Sequence, residues 1–379
     1  MSVRALCLGD AHFQINNSRE VEEYLTKLKT FLSEHQNEID IIVSMGDVLH
    51  RHAQLHVTPL NKAVTYFQLL SSFKPTYLIV GNHDMLNNSI FLTPDHWYNC
   101  LKLWPNIKII DNVKMEIIRG CKIVFCPYVP DGRFVEALET LQAPETKSEE
   151  EKDKTDKLWK QADAIFSHVT IKGANMGHAI AQDCDEWKKD YPFLITGHIH
   201  LSQRLGSNLY FTGSIMQVAV DESPNKHIVM VTVTNPKNVQ IREHSLDLQR
   251  REILYVDLKE IDKMEIPREQ NVKYTLYVSG EKEEFKAFMR GMKYKNLISD
   301  PQIDGGSHGI KFKPRKSETM ARKTVDNMTS KKFKSFSQLL QESIEAEKDK
   351  LLTALWNDLT NLNETHSDSD DKFIIIQKK

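Results

Sequence analysis

The strongest constraint in the sequence is a coincidence of position. Five short apolar runs suited to buried strands end in polar clusters built from residue types that bind metal ions. The clusters are Gly9-Asp10-Ala11-His12, Gly46-Asp47-Val48-Leu49-His50, Gly81-Asn82-His83-Asp84, Ser167-His168 and Gly197-His198-Ile199-His200. In an α/β sheet, loops at the carboxyl ends of strands meet along one edge, so clusters far apart in sequence converge there. One such block would mean no more than a turn, since Gly-Asp and Gly-Asn often end strands. Five blocks with a complementary set of side chains indicate a metal site. Asp10, His12, Asp47, Asn82, His168, His198 and His200 supply seven side chains, and a shared Asp47 would give each of two divalent ions four protein ligands. Imidazole, carboxylate and amide without thiolate suit borderline-to-hard ions, manganese before magnesium, iron or zinc.

The pattern up to about residue 245 is α/β. Apolar runs at 3–8, 41–45, 77–80, 123–125, 164–167, 193–196, 209–211 and 228–233 alternate with helical periodicity. A helix is expected over 19–34, where Val21, Leu25, Leu28 and Leu32 recur at spacings of three and four. Thr58-Pro59 and Thr93-Pro94 read as two further helix starts, with Thr as N-cap and Pro at the first helical position. Residues 143–160 form a charge-dense surface excursion of helical character. Strands at 273–278 and 310–313 flank a helix at 283–292, which defines a second, smaller α/β domain over 246–315. A basic linker over 316–334 precedes a terminal segment, 335–379. There Phe336, Leu340, Ile344, Leu351, Leu355, Leu359 and Leu362 line one helical face, and Ser335 with Gln338 has capping-box spacing. The tail turns acidic and ends in the apolar run Phe373-Ile374-Ile375-Ile376, which has no evident place.

Composition narrows the setting. Hydrophobic residues make up 40% of the 379 and charged residues 27%, an ordinary globular balance. Fifty Lys and Arg against 52 Asp and Glu leave a net charge of -2, so any nucleic-acid binding must be local. Five cysteines without a C-x-x-C fit a reducing compartment, hence an intracellular location, cytoplasmic or nucleoid/nuclear, rather than secretion. No apolar run approaches the ~18 residues a membrane span needs.

Taken in order, Asp-x-His, Gly-Asp-x-x-His, Gly-Asn-His-Asp, a lone strand-end His and Gly-His-x-His resemble the calcineurin-like metallophosphoesterase signature. That resemblance implies a β-sandwich flanked by helices, with Asp47 bridging two metal ions. Asp10, His12 and His200 would complete one shell, and Asn82, His168 and His198 the other. Two such ions bind a phosphodiester between them, lower the pKa of a bridging water and stabilise the attacking and leaving oxygens. His50 in the second block is similar to the SbcD-like double-strand-break repair nucleases, of which this short chain resembles the compact viral type. In those proteins a small capping domain follows the phosphoesterase domain, and a helical segment docks on a coiled-coil ABC-type ATPase of the SbcC kind. The resemblance therefore implies a DNA exonuclease, with endonuclease action as a further capacity, a homodimer, and an ATPase partner bound through the terminal helix. It also implies catalytic roles for His83 beside the scissile phosphate, for His50 in orienting that phosphate, and for Asp84 in fixing the His83 tautomer.

Other features carry blander readings. His35, His52, His56, His96, His178, His227, His244, His308 and His366 lack motif context. Arg51 and His52 follow His50 in a loop suited to a DNA backbone, although a polar exposed loop is the commoner explanation. Lys313 and Arg315, at the start of the basic stretch, would neutralise phosphates or merely solvate a linker. Gly213-Ser214 is either a family turn near the site or a plain turn. The amphipathic terminal helix docks on the ATPase or folds back on its own domain. The same metal site would also serve a small-molecule phosphodiesterase or a protein phosphatase, because fold does not select substrate. A non-catalytic scaffold is disfavoured by the complete ligand set together with His83.

Overall fold

In β1 (Val3–Leu8) the pleat sends Ala5 and Cys7 to one side and Leu6 and Leu8 to the other, and all four are fully buried. A strand apolar on both sides must lie in the middle of a covered sheet. In the computed structural model, which describes residues 2–141, 157–177, 179–305, 309–314, 344 and 352–356, it does. β1, β2 (Ile41–Ser44), β3 (Thr76–Ile79) and β4 (Ile107–Ile110) run parallel. β11 (Ile228–Asn235) pairs antiparallel with β1, and β12 (Asn238–His244) with β11, in the order β12-β11-β1-β2-β3-β4.

A second sheet stacks on the first in the order β5-β6-β7-β8-β10-β9. Its parallel strands are β6 (Cys121–Cys126), β7 (Ala164–Ser167), β8 (Phe193–Thr196) and β10 (Leu209–Phe211). β5 (Lys114–Ile118) and β9 (Gln203–Leu205) are antiparallel edges. Ala5, Cys7, Val43 and Ile79 of one sheet meet Ile123, Phe125, Phe166 and Ile195 of the other, and the Tyr77 ring stacks on Phe125 at 4.4 Å. The outer face of the first sheet is covered by α1 (Ser18–His35) and α2 (Val57–Phe73) through Tyr24, Leu28, Leu32, Tyr66, Phe67 and Leu70. α3 (Phe134–Glu139) and Trp159 cover the second sheet. The fold is thus an α/β sandwich of two mixed sheets flanked by helices.

A third sheet joins β13 (Arg250–Asp257), β14 (Val272–Gly280) and β15 (Ile310–Pro314), with β13 and β14 parallel. It packs Tyr274, Leu276 and Val278 against Phe285 of α4 (Lys282–Phe288) and Leu297 of α5 (Met292–Ser299). The chain divides into two compact units, Met1–Lys313 and Pro314–Lys379, so the sandwich and the third sheet belong to one unit. In the other, residues 352–356 are helical. The linker 316–334, most of the terminal helix, the Phe373–Ile376 run and residues 143–156 of the charged excursion lie outside the described residues.

Two helix starts differ from expectation. α2 begins at Val57, and its N-cap is His56, whose Nδ1 accepts from the Thr58 amide at 3.2 Å. Pro59 therefore sits third in the helix, where its missing amide is still one that would have no partner. Thr93-Pro94 opens no α-helix. The Thr93 hydroxyl accepts from the Asp95 amide to close a turn, and only a 3-10 segment, Trp97–Leu101, follows. Among the described residues no helix is long and apolar enough to cross a membrane.

Candidate metal centre

The ligand-type residues lie just past the carboxyl ends of β1, β2 and β3 in one sheet and of β7 and β8 in the other, so the two rows of loops face each other across the sandwich edge. Bringing them that close requires tight backbone. Gly46 has φ +107°, and a Cβ there would lie 2.5 Å from His168 Nδ1. His12, Asp47 and His198 also have positive φ, a strain tolerated where surrounding bonds over-determine the loop. Those bonds are present. The His12 and Phe13 amides donate to the Asp47 and Val48 carbonyls at 2.9 and 2.7 Å, and the Met45 amide donates to Leu8. The buried Asp84 carboxylate accepts from the Asp47 amide at 2.8 Å, the Gly81 amide at 3.0 Å, Trp97 Nε1 at 3.0 Å and the Tyr98 hydroxyl at 2.9 Å. Burial, with Asp47 nearby, pushes Asp84 up to about 7 against the pull of those donors.

All seven expected ligands come together, in two groups. Asp10, His12 and His200 form one, and Asp47, His168 and His198 the other. In the first, His12 Nε2 and His200 Nε2 are 2.9 Å apart, with Asp10 Oδ2 4.0 Å from His200 Nε2. In the second, Asn82 Oδ1 lies 3.1 Å from His168 Nε2 and 2.9 Å from His198 Nδ1. Asp47 Oδ2 faces both groups, 3.2 Å from His168 Nε2 and 3.7 Å from His12 Nε2, as a bridging carboxylate must.

The chemistry of this donor set fits divalent cations. His168 donates Nδ1–H to the Met45 carbonyl at 2.7 Å and His200 donates Nδ1–H to Glu222 at 2.7 Å, so the Nε2 of each faces inward and offers a lone pair once its proton is displaced. Asn82 donates Nδ2–H to Asn88 Oδ1 at 3.3 Å, which turns its carbonyl inward as well. The fully buried Asp10 carboxylate lies among imidazoles, with Oδ1 3.6 Å from His168 Nδ1 and Oδ2 4.0 Å from His200 Nε2. Lone pairs converging in a buried space repel one another unless positive charge lies between them. Burial holds His198 down to about 3 and His12 well below its ordinary value, leaving both neutral. Burial also presses on His168, yet the Asp47 and Asp10 carboxylates hold it up to about 9: two buried anions draw a cation into this space.

One outer partner had no signal in the sequence. Glu222 lies between β10 and β11 and belongs to no motif. Its Oε1 fixes the His200 tautomer, while its Oε2 accepts from Lys226 Nζ at 2.8 Å and the Val218 amide at 3.1 Å. Lys226 also donates to Ser214 Oγ and the His200 carbonyl, so Gly213-Ser214 is part of the network behind the metal ligand. Burial opposes, but His200 and Lys226 hold the Glu222 carboxyl down to about 2.

His83 and His50 stand at the rim of the first group. The His83 ring centroid is 4.8 Å from that of His12, and His50 Nδ1 is 3.3 Å from His12 Nδ1. The tautomer of His83 is set otherwise than expected. Asp84 spends its bonds on the Asp47 loop and on Trp97 and Tyr98, and His83 Nδ1–H donates to the His50 carbonyl at 2.6 Å instead. The adjacent position in sequence points the two side chains apart. His52 is stacked on His83 at 4.3 Å. Arg51 is exposed and lines a small cavity with Phe13 and Leu55. Lys313 lies over the Tyr277 ring on the third sheet, and Arg315 lies outside the described residues.

Residues 3–202, which carry all seven ligands, match the calcineurin-like phosphoesterase family. The chain belongs to that family. It is a metallophosphoesterase, a hydrolase of ester bonds, and the two facing groups of buried His and Asp have the donor set of the binuclear metal site typical of that family. Two viral proteins resemble this metallophosphoesterase over most of their length. "Putative phosphoesterase 078R" of Invertebrate iridescent virus 3 is 34% identical over 337 residues, covering 87% of this chain and 92% of that protein. "Putative phosphoesterase 244L" of Invertebrate iridescent virus 6 is 33% identical over 293 residues, covering 76% and 97%. The similarity to both runs past the sandwich, because 337 and 293 aligned residues are more than the 244 that end with β12 at His244.

Proposed function

We propose that this metallophosphoesterase is the nuclease subunit of an SbcCD-like DNA repair and recombination complex, hydrolysing phosphodiesters from DNA ends and internally. The observation that carries the reading is the junction between the third sheet and the loop behind His200. The Gln217 side chain accepts from the Arg251 amide at 2.6 Å and donates to its carbonyl at 2.9 Å, and the Arg251 guanidinium pairs with Glu20 of α1. A sheet fastened beside the ligand loops extends the substrate surface far beyond one ester group, which a long polymer uses and a small ester does not.

Asp10, His12, His200 and Asp47 would hold one ion, and Asp47, Asn82, His168 and His198 the other. Divalent ions there supply Lewis acidity to the phosphoryl oxygens and to the attacking water. The protein does the rest. Because the His83 Nδ1 proton is committed to the His50 carbonyl, Nε2 is the atom that exchanges a proton with the leaving 3′-oxygen. His50, anchored against His12, orients the phosphate. The terminal segment 335–379 as the ATPase docking element, and a homodimer, complete the proposal on the strength of the sequence resemblance.

A second reading has its own observation. A cavity of about 510 Å³ lined by His198, His200, Met176, Leu201, Asp221 and Lys226 opens beside the ligands, a size suited to a small ester. The deciding experiment compares end-labelled linear DNA with a chromogenic phosphodiester and a phosphomonoester, with Mn²⁺ or chelator, for wild type and Asp47→Ala. Mn²⁺-dependent shortening of DNA that the variant lacks supports the nuclease reading. Turnover of the small esters alone transfers the function to the second reading.

A further inference from the structure

The third sheet turns one face to its own core and leaves part of the other open. Tyr274, Leu276 and Val278 point inward, and Tyr277 points the other way, directly opposite Tyr255 in the register of β13 and β14. The two rings lie side by side with centroids 5.5 Å apart and a tilt of 34°, and Tyr255 is 71% exposed. β15 adds two cations. Lys313 Nζ lies 4.3 Å from the Tyr277 centroid and 5.4 Å from that of Tyr255, and Lys311 Nζ lies 5.4 Å from Tyr277. Among the described residues neither lysine has an ion-pair partner. The same face of β13 carries Asp257, two residues beyond Tyr255, whose carboxylate caps the following turn by accepting from the Lys259 amide.

We propose that this face is a stacking platform for single-stranded nucleic acid, with bases on Tyr255 and Tyr277 and the connecting phosphates on Lys311 and Lys313. The exposed Tyr255 ring and the half-buried Tyr277 ring, the latter with Lys311 Nζ also 3.5 Å from its hydroxyl, beside ammonium groups that have no carboxylate partner among the described residues, match a ligand that is flat and apolar in its units and anionic in its links. A duplex buries its base faces against one another, so only an unpaired strand presents them to the rings. Arg251, four residues upstream on β13, is the anchor to the sandwich, which puts the platform about 13 Å along the strand from that junction at ~3.3 Å per residue. The inference deepens the nuclease reading and rests on it for why such a strand would be present.

The test is fluorescence anisotropy of the full chain, with Ca²⁺ in place of Mn²⁺ to suspend cleavage. Its probes are labelled oligo(dT), an abasic deoxyribose-phosphate chain of equal length, and a blunt duplex. Replacing both rings (Tyr255→Leu with Tyr277→Leu) should weaken oligo(dT) binding by about tenfold or more and leave abasic binding and the salt slope unchanged. Lys311→Gln with Lys313→Gln should reduce that slope by about 0.7 per lysine. Tyr255→Leu alone, at the more exposed ring, gives a milder version, and chromogenic ester turnover with Mn²⁺ reports that each variant is folded. Wild type binding the abasic chain as well as oligo(dT), preferring the duplex, or losing nothing with the rings, overturns the platform. If wild type still shortens labelled DNA in that case, the nuclease reading survives. Ring-dependent oligo(dT) binding without any DNA cleavage would retain the platform and remove the nuclease.

Discussion

Replacing Glu222 by Gln tests whether a residue that touches no substrate sets the affinity of the metal centre. Glu222 takes the His200 Nδ1 proton with one oxygen and the Lys226 ammonium with the other, at 2.7 and 2.8 Å. Gln retains the shape but has one acceptor and one donor. If its carbonyl keeps His200, its amide N–H₂ faces Lys226, a cation only 8% exposed at the side chain. If it keeps Lys226, the His200 tautomer is released. A hydrogen bond to a charged group contributes about 1.5–3 kcal/mol and a neutral one about 0.5–1.5 kcal/mol, so the exchange weakens the hold on His200 by about 1–1.5 kcal/mol. That corresponds to roughly tenfold in metal affinity, since about 1.4 kcal/mol is one decade, and losses of this kind run to about 100-fold. The assay is Mn²⁺ binding by competition with a chelating dye at fixed pH, paired with thermal melting of the metal-free protein. A tenfold or greater loss of affinity in a protein with near-normal metal-free melting bears out the geometry. Unchanged affinity in such a protein would refute it, because His200 would then need no carboxylate to present Nε2.

Three further outcomes are expected. His83→Ala should keep the wild-type stoichiometry of bound metal while phosphodiester turnover falls by about 10²-fold or more, the usual scale of a lost general acid or base; normal turnover would remove His83 from the chemistry. Gly46→Ala should abolish metal binding and lower the melting temperature, because a Cβ would fall 2.5 Å from His168 Nδ1 at φ +107°, and metal titration by calorimetry shows whether it does. Asp111 is held below the ordinary carboxylate range by His96, then by Lys102 and Lys114. A carboxyl depressed in the folded state contributes its stability above its unfolded pKa of about 3.9 and loses it as pH falls further. The difference in urea midpoint between wild type and Asp111→Asn should therefore be constant at neutral pH and shrink below about pH 4; a pH-independent gap contradicts the pairing.

Much of the architecture was legible because burial writes itself into composition. Strands covered on both faces are continuous apolar runs, and those at 3–8, 164–167, 193–196 and 209–211 coincide with β1, β7, β8 and β10. The strands that escaped the apolar-run criterion, β4, β5, β9, β12 and β13, are all sheet edges. An edge strand with one face open to water alternates instead: in Asn238–His244, Val239 and Ile241 pack on the core while Asn238, Gln240 and Arg242 are exposed, so no continuous apolar run marks it.

Which donor side chains gather at the sandwich edge was legible in the sequence alone, since each sits at a strand end and only a few side chain types carry metal-binding atoms. What those ligands lean on was decided by the tertiary structure. The Glu222 contact to His200 spans 22 residues, the Met45 carbonyl contact to His168 spans 123, and the Asp84 contact to the Asp47 amide spans 37. Asp84 beside His83 looked like its partner in sequence, and the tight turn at 81–84 sends it instead to Asp47, Trp97 and Tyr98. The physical reason is one of range. A donor atom is a property of one residue, whereas the direction in which its lone pair points depends on hydrogen bonds from loops that only the packing of two sheets brings within 3 Å.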